Sequence, residues 1–295
     1  MSRAWYQLAL ASASGAQAGT LVAAAGDHLG EAVAAVTRAY PRRVVLAARR
    51  APTVPLGESV GRSRTVLEVT PDLALPSSRL HWPPGVLPEL DALPALAAAA
   101  PGYVIHREPE LAVIEAQVAA EQIVDVFLGV LERLPAMDNL EIRLMHHFDG
   151  AGQTDVWLSP RIGGKRILRF LDAHERELID SGAVELAVYV RSEQSTLRLT
   201  EHKTVLWTSR DLTTEARTIK ALQALGVRAV PTLVTVAQVP HFHYRAGGSK
   251  DRAALSKYLE KQRLKLVDRL DPAGASLGAS AEGTAPGTDR AAPQG

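Results

Sequence analysis

Residues Asn139–Gly150 read NLEIRLMHHFDG. In an extended chain Leu140, Ile142, Leu144, His146 and Phe148 point one way while Glu141, Arg143, Met145 and His147 point the other, the two-residue period of a strand with one buried face. Asp149-Gly150 is a turn signal, and Asp155–Leu158 reads as the returning strand of a hairpin. Downstream, Lys165–Asp180 has helical periodicity and stops before Gly182, where a left-handed cap is usual. Glu185–Arg191 and Thr196–His202 alternate on either side of Ser192–Ser195 as a second hairpin, with Thr204–Thr208 as a continuation or a third strand. Asp211 and Thr213 can cap a helix over Glu215–Leu225, which Gly226 ends. Thr232–Val239 reads as another strand and Asp251–Leu270 as a final helix, with Ser249 its simplest N-cap. Hairpins outnumber strand–helix alternations, so the expected class is α+β, with a mixed or largely antiparallel sheet and helices on one face.

The region upstream is less regular. Trp5–Leu10 reads as a strand, Ser12–Gly19 as a small-residue loop, Leu21–Tyr40 as a helix ended by Pro41, and Val44–Ala47 as a strand. Eight prolines between Pro52 and Pro94 then interrupt every periodic run except a strand at Thr65–Val69, with a helix near Glu89–Ala99. Glu108–Leu134 reads as one long amphipathic helix whose apolar face includes Leu111, Ile114, Val118, Ile123, Val126, Phe127 and Val130. The chain is therefore divided into an N-terminal α/β region (1–107), a connecting helix (108–138), a C-terminal α+β domain (139–270) and a tail (271–295). The tail is rich in Ala, Gly, Ser, Thr and Pro, the composition of a disordered segment.

Composition narrows the chemistry. The 295 residues include no cysteine, which removes disulfides, thiolate metal sites and cysteine nucleophiles from consideration. Residues 1–138 carry a net −3 and the remainder a net +4, too little in either part to name a nucleic-acid partner. The first fourteen residues are too short for a spanning helix and lack a cleavage pattern, so a cytoplasmic protein without a membrane span is expected.

All seven lysines and six of the nine histidines fall between Asn139 and Arg269. His241 and His243 share a face in an extended chain, and two imidazoles at that spacing can hold one metal ion. His146 or His147 could add a third ligand and Asp149 a carboxylate. His174 lies on the apolar face of its helix with Ile167, Phe170, Leu171 and Leu178, the setting of a core histidine with a backbone partner. On the final helix Lys257, Lys261 and Lys265 recur every four residues and, with Arg269, form a basic stripe suited to an acidic protein surface or nucleic acid.

The sequence has no phosphate-binding glycine loop, no H-E-x-x-H and no G-x-S-x-G. The expectation drawn from these absences is a non-catalytic protein-binding protein: a regulator, inhibitor, adaptor or immunity-like partner. It needs no cofactor. The alternatives are a metal-dependent hydrolase using His146, His147, Asp149, His241 and His243 with a divalent metal, and nucleic-acid binding through Lys257, Lys261, Lys265 and Arg269.

Overall fold

The computed structural model describes residues 3–12, 18–53, 57–59, 65–75 and 80–272. It is an α+β protein built on two antiparallel sheets. The first contains β1 (Ala4–Ser12), β2 (Ala18–Gly26), β3 (Arg43–Ala51), β4 (Glu58–Ser59) and β5 (Val66–Ala74), in the order β3-β1-β2-β5-β4. Helix α1 (Leu29–Ala39) turns back onto one face of this sheet, where Leu29, Ala32 and Val36 pack against Leu8, Leu10, Val22 and Ala24. The opposite face, with Ala9, Ala11, Leu46 and Ala47, is closed by Leu93 from a 3₁₀ helix over Leu90–Leu96. Burial on both faces explains why β2 looks helical in sequence. Its run Leu21–Ala25 has no polar alternation to mark a strand, and alanine favours a helix. The helix expected over Leu21–Tyr40 is thus a central strand, a turn at Gly26-Asp27 and a shorter helix.

A short strand β6 (Val86–Pro88) follows, then the hairpin β7 (Gly102–Glu108) and β8 (Leu111–Gln117), and α2 (Ile123–Glu132). The single helix expected over Glu108–Leu134, and with it the connecting helix 108–138, is therefore replaced by a strand and a helix. Pro109 lies in the tight turn closed by the Glu108 and Leu111 pair, where it cannot continue a helix. Residues Ala112, Ile114 and Ala116 of β8 are buried at every second position, a strand period hidden by apolar Leu111 and Val113 on the other face.

The remaining elements are β9 (Asn139–Leu144), β10 (Thr154–Leu158), α3 (Gly164–Ala173), α4 (Glu175–Leu178), β11 (Val184–Val190), β12 (Ser195–Leu199), β13 (Val205–Ser209), α5 (Glu215–Ala224), β14 (His241–His243), α6 (Arg252–Lys261) and β15 (Lys265–Leu270). Eight strands form the second sheet in the order β15-β10-β9-β11-β12-β13-β8-β7, antiparallel throughout. One face supplies Leu140, Ile142, Leu144, Leu186, Val188, Leu197, Leu199 and Trp207 to a core that Phe127, Ile167, Leu171, Leu222, Leu255 and Leu259 complete from the helices. His174 sits at the break between α3 and α4. Its Nδ1–H donates to the Phe170 carbonyl at 2.9 Å and its Nε2 accepts from the Tyr258 hydroxyl, which ties α3 to α6. This is the structural role its position suggests.

Three other expectations change. The strand over Leu140–Phe148 ends at Leu144, and His146 and His147 lie in the turn beyond it. No strand covers Thr232–Val239, where a 3₁₀ turn leads into β14. The final helix stops at Lys261 because Arg263 takes a left-handed φ of 67° and the Leu264 amide returns to the Leu259 carbonyl, a helix stop made without glycine. The chain then becomes the edge strand β15. The basic stripe is divided accordingly: Lys257 and Lys261 stay on α6, while Lys265 and Arg269 belong to β15, with Arg269 3.4 Å from Asp155. Asp251, not Ser249, caps α6, accepting from the Ala254 amide at 2.8 Å. Residues 13–17 of the small-residue loop and 273–295 of the tail lie outside the described residues, and no described helix is long and apolar enough to cross a membrane.

Phe127 on α2 is fully buried in the larger core. Phe127→Ala is expected to lower stability by about 3–5 kcal/mol, read from the urea midpoint with the slope unchanged.

Candidate metal centre

The two-stranded ribbon β6–β14 lies between the sheets and carries the chemistry. Its register pairs Phe242 with Leu87 and flanks them with His241–Pro88 and His243–Val86. Neighbours along a strand face opposite ways, so Phe242 and Leu87 turn into the core of the first sheet while both histidines turn away from it. They turn toward one end of the eight-stranded sheet. Three loops meet there: the turn after β9 with His147, the turn before β11 with Gly182, and the β12–β13 turn with Glu201, His202 and Lys203.

The backbone fixes the imidazoles. His243 Nδ1–H donates to the Gly182 carbonyl at 2.9 Å, and His241 Nδ1–H donates to the Val239 carbonyl at 2.6 Å. A carbonyl can only accept, so each ring carries its proton on Nδ1 and presents a bare Nε2. Those two Nε2 atoms face each other at 3.0 Å. Two lone pairs at that separation repel unless a cation lies between them, and nitrogens sharing a tetrahedral zinc stand roughly 3.3 Å apart at Zn–N distances near 2.05 Å. The His202 ring completes a set in which the ligand nitrogens of His202, His241 and His243 lie within 4.8 Å of one another.

A second set shares His243 and adds His147 and Glu201 at the same separation. His147 Nε2–H donates to the Gly182 carbonyl at 3.2 Å, leaving Nδ1 free at 3.7 Å from the Glu201 carboxylate. Glu201 Oε2 is buried and has no hydrogen-bond partner. Orienting a ligand histidine through its other ring nitrogen is the usual outer support of a metal site, and here backbone carbonyls supply it three times.

The electrostatics keep the imidazoles unprotonated. Burial and the neighbouring rings of His147, His202 and His241 push His243 down to about 2. Burial, then His241, His147 and Lys203, lower His202 to about 4. Burial also lowers His147. These rings stay neutral and available as ligands at physiological pH. Burial, with Glu185 adding to it, raises the Glu201 carboxyl to about 7 against the opposing pull of Lys203. Lys203, 1% exposed, donates from Nζ to the Ser181 carbonyl at 2.6 Å, and burial lowers its ammonium to about 7.

Of the five ligands expected from sequence, His147, His241 and His243 come together. His146 touches the edge of the His147 ring, at 5.2 Å between centroids, but belongs to neither set. Asp149 is directed elsewhere, accepting from the Arg252 amide at 2.9 Å and lying 3.5 Å from Arg245. Sequence reasoning missed Glu201 and His202. The signal was present: the strand expected over Thr196–His202 ends at Leu199, and a Glu-His pair in the turn that follows is chemically conspicuous once the turn is seen. No protein-family model, curated protein or solved structure matches the chain.

Gly182 holds this arrangement at atomic contact, since a Cβ there would stand 1.9 Å from the Gly85 carbonyl oxygen. Gly182→Ala is expected to cost about 1–3 kcal/mol of stability through overpacking. It should also weaken zinc binding about 10–100-fold through the displaced carbonyl. Thermal unfolding and a chelator-competition titration check the two effects separately.

Proposed function

We propose that the protein is a metal-dependent hydrolase in which His202, His241 and His243 hold one divalent ion and Glu201, beside His147, serves as the base. The observation that carries this reading is the pair of Nε2 atoms at 3.0 Å with both Nδ1 protons committed to backbone carbonyls. Three imidazoles leave a coordination position open for water, and an imidazole-rich set with a nearby carboxylate suits zinc. A bound cation polarises the substrate and makes that water acidic enough to be a nucleophile near neutral pH. Glu201, with a carboxyl near 7 and one unpartnered buried oxygen, is placed to take the proton and pass it to the leaving group.

The protein-binding role expected from sequence drew on Lys257, Lys261, Lys265 and Arg269 as one surface, as did the nucleic-acid alternative. They are divided between α6 and β15 and do not form one helical stripe, whereas the clustering of the histidines adds to the hydrolase reading.

Protein prepared without chelator and offered zinc is expected to retain about one equivalent per chain by elemental analysis, and His243→Ala to retain almost none. Less than a few tenths of an equivalent in the unaltered protein sinks the proposal.

Affinity should also depend on pH. A cation beside Glu201 favours its ionised form, so zinc affinity falls as pH drops below about 7 and levels off above it. In Glu201→Gln this pH dependence should be shallower. A competition titration with a chromophoric chelator reads both, and a flat profile in the unaltered protein means that Glu201 does not face the ion.

A further inference from the structure

Resting on the hydrolase reading, we infer that the substrate is a small organic oxyanion and that its charged group sits in a cavity beside the metal ligands. The cavity, about 300 Å³, opens where the two sheets meet and is walled by His147 and His243 on the metal side and by His28, Arg50, Asp149 and Arg245 on the other. Its volume is at the lower end for small-molecule sites and admits a compact substrate.

The walls contain donors without acceptors. Both ring nitrogens of His28 are buried and unpartnered, whereas Arg245 Nε makes no hydrogen bond but faces Asp149 Oδ1 at 3.5 Å. At least one His28 nitrogen carries a hydrogen in any protonation state, and a buried donor left unpaired costs about 1–3 kcal/mol. Such a side chain on the wall of a cavity calls for a ligand that brings an acceptor oxygen. Arg50 is exposed at the rim and makes no ion pair with a described residue. Asp149 is the one carboxylate of the lining, and it is engaged by the Arg252 amide and lies against Arg245. The balance of the cavity is positive.

Position adds a further cause. His28 is the N-cap of α1, so the first turn of an eleven-residue helix starts at the cavity wall, where its partial positive charge favours an anion. Gly30 brings that turn against the chain at Arg245, since a Cβ on Gly30 would stand 1.8 Å from the Arg245 carbonyl oxygen. The donors of the first sheet and those of the ribbon are thereby held on one pocket. An oxyanion bound among them would place the rest of a small substrate against His147 and His243, the cavity residues that belong to the candidate metal sets.

Phosphate and carboxylate share this chemistry, and a titration distinguishes them. The full-length protein, metal-free and zinc-loaded, is titrated by calorimetry with inorganic phosphate and with acetate at constant ionic strength. Saturable binding of either anion is expected. Arg50→Ala and His28→Phe should each weaken it about tenfold, while Arg38→Ala, at the far end of α1, leaves it unchanged. Phosphate bound more tightly assigns a phosphate ester, and acetate bound more tightly a carboxylate substrate. No saturable binding of either, or equal losses in Arg50→Ala and Arg38→Ala, overturns the inference. Anion binding that depends on Arg50 in a protein that takes up no zinc keeps the cavity and removes the hydrolase reading; zinc uptake without anion binding does the reverse.

Discussion

Gly182 is the point on which the assembly turns. Its amide donates to the Tyr244 carbonyl, its own carbonyl accepts from His147 and His243, and its Cα lies against Gly85, whose φ of 96° only glycine adopts without strain. The Gly85 carbonyl in turn accepts from the Tyr244 amide. One backbone crossing therefore docks the β6–β14 ribbon on the end of β11 and sets the tautomers of two imidazoles. A side chain at either glycine would separate the ribbon from the sheet, and the histidines would move with it.

The cluster draws on residues as far apart as His147 and His243, and each sits in a turn or on a three-residue strand. None of these segments holds its shape without the sheets behind it. A cation at this cluster would be held tightly only once both cores have formed, the opposite order from a small zinc domain that folds around its ion. The larger core, with Phe127, Trp207 and some thirty other buried residues, needs no metal to bury them.

What could be read from sequence followed burial on one face. The strands β12 and β13 alternate in burial, and β9 and β11 alternate in polarity because Glu141, Arg143 and Glu185 pair with one another on the face away from the helices, so their hairpins were visible. β2 was hidden by being buried on both faces and β8 by the unbroken apolar run Leu111–Ile114. β15 was hidden by a helix stop at Arg263, a residue that gives no warning of positive φ. The metal centre was half legible. The alternation at His241 and His243 survives in β14, but Glu201 and His202 join them through a tertiary approach of loops that no spacing encodes, and Asp149, adjacent in sequence to the His pair, turns instead to α6 and Arg245.

The premature end of α6 has a further effect at the boundary of the sheet. β15 is an edge strand, and it exposes Leu266 and Val267 at 37% and 52%. Apolar side chains on an unpaired edge invite a second chain to add a strand. Lys265, Asp268 and Arg269 flank them on the same strand, and a copy approaching antiparallel or parallel would have to bury those charges. Lys265 and Arg269, which in sequence belong to a helical stripe, thus lie on this edge, where their charges oppose the addition of a strand.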